Sequence, residues 1–209
     1  MNTENNIPST IDQLKSIPTT IISDALGRNS GISGLKKYHQ HSLKLVGRAL
    51  TIKCSPGDNL YVYKALKLVQ KGDVLVVDGR GAVNNALMGE LIMLQGRKNG
   101  CEGFVIDGAI RDVEAFKSTP VYARDTTHFG PFKNGPGEIG VPVSIGGHVV
   151  CNGDFIVADD DGVVSFSPEH VDEIIQKSLE ILKKEEGIID QISTNRMDWV
   201  DVILDKAGI

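Results

Sequence analysis

The chain has 209 residues, 41% hydrophobic and 23% charged, which is ordinary for a globular protein that buries a core without disulfides. With 22 Lys and Arg against 27 Asp and Glu the formal net charge is −5, which excludes a general nucleic-acid binder because such proteins cluster positive charge. No signal pattern opens the chain, and no apolar run approaches the ~20 residues of a membrane helix. We therefore expect a cytoplasmic protein without a membrane partner.

Two short helices are predicted near the amino terminus, because Pro18 interrupts an apolar-periodic stretch from Ile11 to Leu26. Residues 27–34 are rich in Gly, Ser and Asn, which predicts a loop. The apolar segment Leu45–Cys54 is typical of a strand.

Helices and buried strands then alternate. Leu60–Val69 has helical spacing, and the β-branched run Val74–Val77 is typical of a strand covered on both faces. A helix is predicted from about Ala86 to Lys98, and a second buried strand follows at Gly103–Ile106. This order makes two βαβ units and implies some parallel sheet.

The second half of the chain has a different pattern. Residues 143–150 predict two strands around a Gly-Gly turn, and residues 154–158 and 163–166 predict two more around an acidic turn. Pro168 begins a long helix reaching at least Lys184, followed by a polar helical tail. We predict one α/β domain over residues 1–209, with amino-terminal helices at about 9–27, a core at about 45–166 and carboxyl-terminal helices at about 168–207.

Several polar segments are expected to meet at one edge of the sheet. A helix of about eleven residues and a strand of about five residues each span ~16 Å, so the chain runs out along the helix and back along the strand. Glu90 therefore begins its helix where Arg111 and Asp112 leave the following strand. The loop at residues 57–59 comes to the same edge if its strand is parallel to the others. Such carboxyl edges usually bind ligands.

The residue types gathered there favour a particular chemistry. Arg111 is a permanent cation whose planar fork suits a carboxylate, and Asp112 is a hard oxygen ligand for Mg²⁺ or Mn²⁺. Amides at the helix start, around Gly89–Leu91, can hold an anion, and Glu90 supplies a second carboxylate. The set suits a small 2-oxo acid that chelates the metal, which would act as a Lewis acid on a developing enolate. The alternative is a surface salt bridge between Arg111 and Asp112.

At these residues the chain resembles a known family. Glu90, twenty intervening residues and then Arg111-Asp112 resemble the acidic-x20-Arg-Asp signature of class II 4-hydroxy-4-methyl-2-oxoglutarate / 4-carboxy-4-hydroxy-2-oxoadipate aldolases, which belong with the regulators of ribonuclease activity A in the RraA-like family. The other segments that carry the resemblance are Pro56–Leu60, Gly72–Asp78, Gly89–Leu91, Val105–Asp112 and Gly153–Val164.

The resemblance implies a fold and a set of roles. The fold would be a swivelling β/β/α domain with a partly parallel central sheet, an added β layer and helices at both ends. Asp112 would bind the metal, Arg111 would hold the pyruvyl keto oxygen and the enolate charge, and Glu90 would orient water for proton transfer, although that acid can be Asp in family members. The pyruvate carboxylate would be taken by the amides of Gly89, Glu90, Leu91 and Ile92.

The resemblance also implies a homotrimer or homohexamer with sites at subunit boundaries. An acidic residue from a neighbouring subunit's carboxyl-terminal region would serve the metal site, and Glu185 and Glu186 are both candidates. The implied activity is a divalent-metal-dependent lyase that cleaves 4-hydroxy-2-oxo dicarboxylic acids to pyruvate and also decarboxylates oxaloacetate.

Two alternatives remain at this stage. One is a non-enzymatic regulator of a ribonuclease or helicase, but regulators in this family lack the Asp after Arg, and this chain has Asp112. The other is a different metal-dependent reaction on a sugar acid or 2-oxo acid.

The remaining polar residues give weaker predictions about function. The His39 and His41 pair is expected at the surface, and Arg80 is a weaker candidate for binding a second substrate carboxylate. No two of the cysteines form a Cys-x-x-Cys motif, and all are expected to be reduced and buried: Cys54, Cys101 and Cys151.

Overall fold

The computed structural model describes residues 7–28 and 30–208. Two helices open this part of the chain, α1 (Ile7–Ser16) and α2 (Thr19–Ala25), and they are separated at Pro18 as the sequence predicts. Their inward faces bury side chains such as Leu14 and Ile22, which are 0% exposed. Burial of these apolar faces, rather than intrinsic propensity, stabilises helices as short as these.

Within the described residues, eight strands form one mixed sheet. Across the sheet they are β1 (Lys36–Lys37), β5 (Val121–Thr126), β4 (Gly103–Ile110), β3 (Asp73–Met88), β2 (Leu45–Cys54), β9 (Phe155–Asp159) and β10 (Gly162–Phe166), with β6 (Gly137–Ile139) also paired to β2. Strands β2 to β5 run parallel, which confirms the predicted βαβ units. The outer strands β1, β6, β9 and β10 pair antiparallel with their neighbours.

Helices and a small hairpin cover the two faces of the sheet. The remaining elements are α3 (Leu60–Leu66), α4 (Glu90–Lys98), β7 (Val143–Ile145), β8 (His148–Val150), α5 (Val171–Ser193) and α6 (Asp198–Ala207), with 3-10 turns at Val113–Phe116 and Pro168–His170. Helices α3 and α4 pack on one face and the β7–β8 hairpin on the other. This is the expected α/β architecture, with an added β layer and helices at both ends.

The parallel strands carry apolar side chains on both faces. In β3, Leu75 and Val77 contact the helix layer, whereas Val74 and Val76 contact the hairpin layer, and all four are 0% exposed. Every residue of β4 is buried. Because the strand buries both faces, its sequence is continuously apolar rather than alternating, as expected for parallel sheets.

One helix boundary differs from the prediction. The sequence predicts a helix from about Ala86, but β3 continues to Met88 and the helix begins at Glu90. Residues 79–85 form an irregular bulge in which Ala82 pairs with Gly108 of β4, after which Ala86 and Met88 continue the ladder. These returning residues are at most 1% exposed, so burial against β4 determines their conformation.

Two smaller predictions were wrong. Cys54 and Cys101 are buried as expected, but Cys151 is exposed in the turn after β8. His39 is only 4% exposed, because its Nδ1 accepts a hydrogen bond from the Val121 N–H at 3.1 Å and its ring packs edge-on against Tyr122. Burial lowers the pKa of His39.

The predicted polar tail is helical but not uniformly polar. Helix α6 buries none of its own residues, and it exposes apolar side chains including Val202 and Ile203. Helix α5 packs on the body through Ile174 and Ile175 near its start. None of the helices in the described residues has both the length and the apolar character needed to cross a bilayer.

Candidate functional site

The structure brings the predicted site residues together at the carboxyl edge of the parallel strands. Strands β3 and β4 run in the same direction, so Gly89 and Glu90 follow β3 at the edge where Arg111 and Asp112 follow β4. The backbone N–H of Glu90 donates a hydrogen bond to Asp112 Oδ2 at 3.2 Å. The start of α4 and the Arg-Asp pair are therefore in direct contact.

Backbone conformation explains where the Asp112 carboxylate lies. Asp112 has φ 59° and ψ 40°, a left-handed conformation that turns its side chain back toward the first turn of α4. Gly89 caps that helix with an extended backbone at φ −147°, so its conformation does not require glycine. The space beside Gly89 is tight, because an added Cβ would collide with Asp112 Oδ2 unless that carboxylate moved, and it would lie 3.1 Å from Arg111 Cγ.

The guanidinium of Arg111 is only loosely paired. Its Nε lies 3.6 Å from Asp112 Oδ2, and the two side chains are 43% and 46% exposed. A Cβ on Gly130 would lie 3.2 Å from an Arg111 terminal nitrogen, so Gly130 lies beside the outer end of the guanidinium, as Gly89 lies beside its Nε. The N–H groups of this arginine remain available for a planar anionic ligand.

A cavity of about 40 Å³ opens beside these groups. It is lined by Asn59, Tyr63, Ala86, Met88, Gly89, Leu91, Ile92, Arg111, Asp112, Pro131 and Lys133. Five of the six predicted site residues line it, and the exception is Glu90, whose exposed side chain stands beside it. Arg80 does not line it either. The cavity is too small and open for this chain alone to enclose a substrate.

The loop after β2 reaches the same edge, as its predicted parallel strand requires. Asp58 is 4% exposed, and its carboxylate accepts hydrogen bonds from the N–H groups of Leu60, Asn134 and Gly135 at 3.0, 2.5 and 3.0 Å. Burial raises the pKa of Asp58, but these hydrogen bonds outweigh it and hold that pKa below its usual value. Asp58 therefore fixes the cleft wall and has little capacity left for a metal.

Sequence reasoning brought the loop at residues 57–59 to this edge without naming Asn59 as a cleft residue, and it did not identify Lys133. Asn59 donates from Nδ2 to the Leu87 carbonyl at 3.1 Å, which fixes its amide below the cleft. Lys133 adds a second cation and lies 5.7 Å from the ring centre of Tyr63. The Pro56–Leu60 segment could have indicated Asn59, but Lys133 comes from a loop with no recognisable pattern.

A second Arg-Asp pair lies at the same edge, on the sheet face opposite α3 and α4. Asp78 and Asp107 are register neighbours on β3 and β4, and Arg124 Nε donates a short hydrogen bond to Asp107 Oδ1. Burial raises the pKa of Asp107, and the charge of Asp78 adds to that rise while Arg124 opposes it. The backbone N–H of Arg80 donates to Asp78 Oδ1 at 2.8 Å, so these carboxylates hold the β3 bulge.

A larger cavity, about 660 Å³, lies far from this edge, near the amino end of β2. It is wide open, and Asp24, Arg28 and His148 are among its lining residues. Arg28 is already paired with Asp24 at 3.0 Å, and His148 Nε2 lies 2.8 Å from Ser165 Oγ. Because these three side chains of the larger cavity already have partners, the smaller cleft is the better candidate site despite its size.

Comparison with known proteins identifies the family of this chain. The family model described as Aldolase/RraA, RraA-like, matches residues 19–165, which include every residue of the cleft. The chain belongs to the Aldolase/RraA family. A relative from Halalkalibacterium halodurans is 38% identical over 189 residues, 90% of each chain, and carries the provisional name 4-hydroxy-4-methyl-2-oxoglutarate aldolase.

Two solved structures extend the comparison of this Aldolase/RraA member. An uncharacterised protein from Pseudomonas syringae aligns over 97% of this chain and 98% of its own with a TM-score of 0.79 and 24% identity, which supports the fold. The RNA-processing inhibitor RraA from a Thermus species aligns over 71% of this chain and 92% of its own, with a TM-score of 0.65 and 31% identity.

The donor set at the cleft fits a hard divalent cation held by few protein ligands. Asp112 supplies one carboxylate, and no group of three or more His, Cys, Asp or Glu side chains gathers within the described residues. Mg²⁺ commonly binds through one or two carboxylates, with water and substrate oxygens completing its shell, so one aspartate is a sufficient start. Glu185 and Glu186 are exposed on α5 and do not line the cleft of their own chain.

Proposed function

We propose that this chain is a divalent-metal-dependent aldolase that cleaves 4-hydroxy-2-oxo dicarboxylic acids of the 4-hydroxy-4-methyl-2-oxoglutarate type to pyruvate. The observation that carries the proposal is the contact of Arg111 and Asp112 with the first turn of α4 in one cleft. The name of the relative from Halalkalibacterium halodurans supports the choice of substrate class.

The first turn of α4 suits the carboxylate of the pyruvyl half. Unpaired N–H groups and the positive end of the helix dipole favour an anion there. The Glu90 N–H is taken by Asp112, which leaves the amides of Leu91 and Ile92 for the substrate. Both residues line the cleft, and Gly89 leaves room for a ligand to approach the backbone.

Arg111 is suited to stabilise the 2-oxo oxygen of the substrate, on which negative charge develops during cleavage. When the C3–C4 bond of the substrate breaks, its electron pair passes into the pyruvyl half as an enolate, and the 4-hydroxyl loses its proton as the new carbonyl forms. A guanidinium directed at the 2-oxo oxygen stabilises that enolate more than the neutral ketone, which lowers the barrier. A divalent cation held by Asp112 would supply Lewis-acid polarisation of the same carbonyl.

Glu90 suits the proton transfers. Its side chain is exposed beside the cleft, where it can orient a water that accepts the 4-hydroxyl proton during cleavage and then delivers a proton to the enolate carbon to complete pyruvate. Oxaloacetate would release carbon dioxide and leave the same enolate, so we propose oxaloacetate decarboxylation as a second activity of the same residues.

We also propose that the active protein is a homotrimer or homohexamer. The cleft is open, and apolar side chains beside it are exposed, including 72% of Leu91 and 57% of Phe132. Helix α6 exposes apolar residues that its own chain does not cover. A neighbouring subunit would cover such surfaces and could bring Glu185 or Glu186 to the cleft.

A regulatory role is the second candidate, because the Thermus relative is named as an RNA-processing inhibitor. On that hypothesis the chain binds a ribonuclease or helicase through its surface and catalyses nothing. A pull-down that captures neither enzyme class, together with measurable lyase turnover, would remove it. A panel of sugar acids and 2-oxo acids would identify a different metal-dependent reaction.

The deciding experiment measures pyruvate release from 4-hydroxy-4-methyl-2-oxoglutarate and from oxaloacetate with Mg²⁺ or Mn²⁺, with excess EDTA, and with Asp112→Asn. We expect turnover that needs the metal and falls at least ~10³-fold in the variant, because a ligand and its charge are lost. Asp125→Asn is the matched control, since Asp125 is similarly exposed and pairs with Lys36 at 3.7 Å. Turnover that survives EDTA would overturn the metal-dependent scheme.

A further inference from the structure

The position of the Arg111 guanidinium depends on its neighbours' backbones more than on hydrogen bonds. Among the described residues its charged partner is Asp112, at 3.6 Å and without a hydrogen bond. The side chain lies between Gly89, at the fixed start of α4, and Gly130, in the loop after β5. Gly130 belongs to a loop rather than to a helix or strand. A contact that fixes the position of Gly130 therefore also limits the orientations open to the guanidinium.

Asn85 holds Gly130. Its Nδ2 donates a hydrogen bond to the Gly130 carbonyl at 2.7 Å. On its other side Asn85 packs against Gly57, where an added Cβ would lie 3.1 Å from the Asn85 Cβ. One side chain thus contacts both the loop after β2 and the loop after β5. These loops also pair with each other, because the Phe132 N–H donates to the Gly57 carbonyl at 2.9 Å, whereas at Gly130 the added contact is the Asn85 side chain.

Asn85 is itself well anchored. It is the last residue of the β3 bulge, and the next residue, Ala86, returns to the ladder and donates from its N–H to the Phe129 carbonyl at 3.0 Å. The other end of the bulge is held by the buried Asp78 through the Arg80 N–H. Asn85 does not line the cleft, so it acts on the cleft only through what it holds.

We infer that Asn85 is a positioning residue for the lyase reaction: it fixes Gly130 against the Arg111 guanidinium and so directs that cation at the substrate's 2-oxo oxygen. This role rests on the proposed function, because it matters only if Arg111 stabilises a developing charge. A flexible arginine loses much of that stabilisation when it must be ordered during the reaction, whereas a preorganised one does not.

The kinetic test compares Asn85→Leu, which keeps the side chain's branched shape but lacks the donor, with Asn84→Leu as the matched control. The side chain of Asn84 is exposed on the same bulge. We expect kcat on oxaloacetate to fall about 3- to 10-fold in Asn85→Leu, the range for one lost hydrogen bond, with KM changed less and with the control near wild type.

A double-mutant cycle separates positioning from a general structural effect. In an Arg111→Lys background, Asn85→Leu should cause little further loss, because the group that it positions is already gone. An equal loss of kcat in both backgrounds would overturn the inference, since Asn85 would then act on the fold and not through Arg111. Gly130→Ala provides a second route, because its added methyl group would press on the same guanidinium nitrogen.

A further readout does not need turnover. Phenylglyoxal modifies accessible arginines, and the modification of Arg111 can be followed by mass spectrometry of its peptide. We expect about threefold faster modification in Asn85→Leu than in wild type and Asn84→Leu, on the basis of one hydrogen bond's contribution. An unchanged rate would overturn the inference. If wild type cleaves no oxo acid with any metal, the proposed function fails while this measurement still decides whether Asn85 restrains Arg111.

Discussion

Two Arg-Asp pairs lie at the carboxyl edge of the same sheet, and their surroundings differ. Arg124 and Asp107 are hydrogen-bonded, and their side chains are 27% and 5% exposed. Arg111 and Asp112 are 3.6 Å apart and 43% and 46% exposed. The first pair is hydrogen-bonded within the fold, whereas the second is half exposed and its two side chains are not hydrogen-bonded to each other, which is why we propose it as the ligand site. Both pairs consist of an arginine and an aspartate, so residue type alone does not distinguish a structural pair from a candidate ligand site. The hydrogen-bonding capacity that the side chains leave unused distinguishes them.

The difference follows from where each pair stands on its strand. Asp107 lies within β4, and Arg124 projects from the adjacent β5 on the same face, so the sheet geometry holds their side chains together. Arg111 and Asp112 follow β4 directly, and the left-handed backbone of Asp112 turns its carboxylate toward α4 rather than into a close fork with Arg111.

The largest expected effect is on the buried pair. Asp107→Ala should lower the free energy of unfolding by about 3 kcal/mol, because it leaves Arg124 without its partner and also removes an acceptor for the Gly81 N–H. Urea unfolding followed by circular dichroism measures this. Lys36→Ala, which removes an exposed ion pair with Asp125, is the control and should change stability by less than about 0.5 kcal/mol. Equal losses of unfolding free energy in the two variants would show that the buried pair is no more stabilising than an exposed one.

A middle-sized effect is expected at Asp58, a charge beside the cleft that serves structure. Asp58→Ala should cost about 2 kcal/mol of stability at pH 7, because three backbone N–H groups lose their acceptor. The folded pKa is held below the usual value of 3.8, so wild type keeps this advantage above that value and loses it as the pH falls through the folded pKa. Unfolding curves between pH 7 and pH 2.5 test this, and a constant difference would contradict it.

The smallest effect is expected at Gly89, and it should appear in catalysis rather than in stability. Gly89→Ala should reduce kcat/KM about 10-fold, because the new methyl group displaces the Asp112 carboxylate and crowds Arg111. The extended backbone of Gly89 tolerates alanine, so the unfolding midpoint should stay near that of wild type. An unchanged kcat/KM would mean that the loose pair tolerates displacement and is not the reacting centre.

Much of the fold could be predicted from local pattern. Apolar runs gave the parallel strands, and Pro18 gave the break between α1 and α2. The meeting of Glu90 with Asp112 followed from helix and strand rise per residue. These predictions succeeded because each depends on neighbours in sequence and on the fixed geometry of regular elements.

The errors and omissions share a different cause. The start of α4 was predicted too early, near Ala86. The sequence does not show that β3 continues past its bulge, because the bulge is stabilised by Asp107, which lies on another strand. His39 was predicted at the surface because its burial depends on Tyr122, 83 positions later in this sequence. Lys133 and Asn85 act through loops that meet only in the folded chain, and no local pattern marks such contacts.

The bulge of β3 also bears on how this scaffold can vary. The register of β3 against β4 shifts on both sides of Ala82, which pairs with Gly108, and the ladder continues from Ala86. Between its anchored ends the tip, at Val83 and Asn84, points into solvent. Residues could be added or removed at that tip without shifting the strand that leads into α4. The sheet therefore contains a site where natural variation or protein engineering can change loop length a short distance from the cleft, while the start of α4 keeps its place.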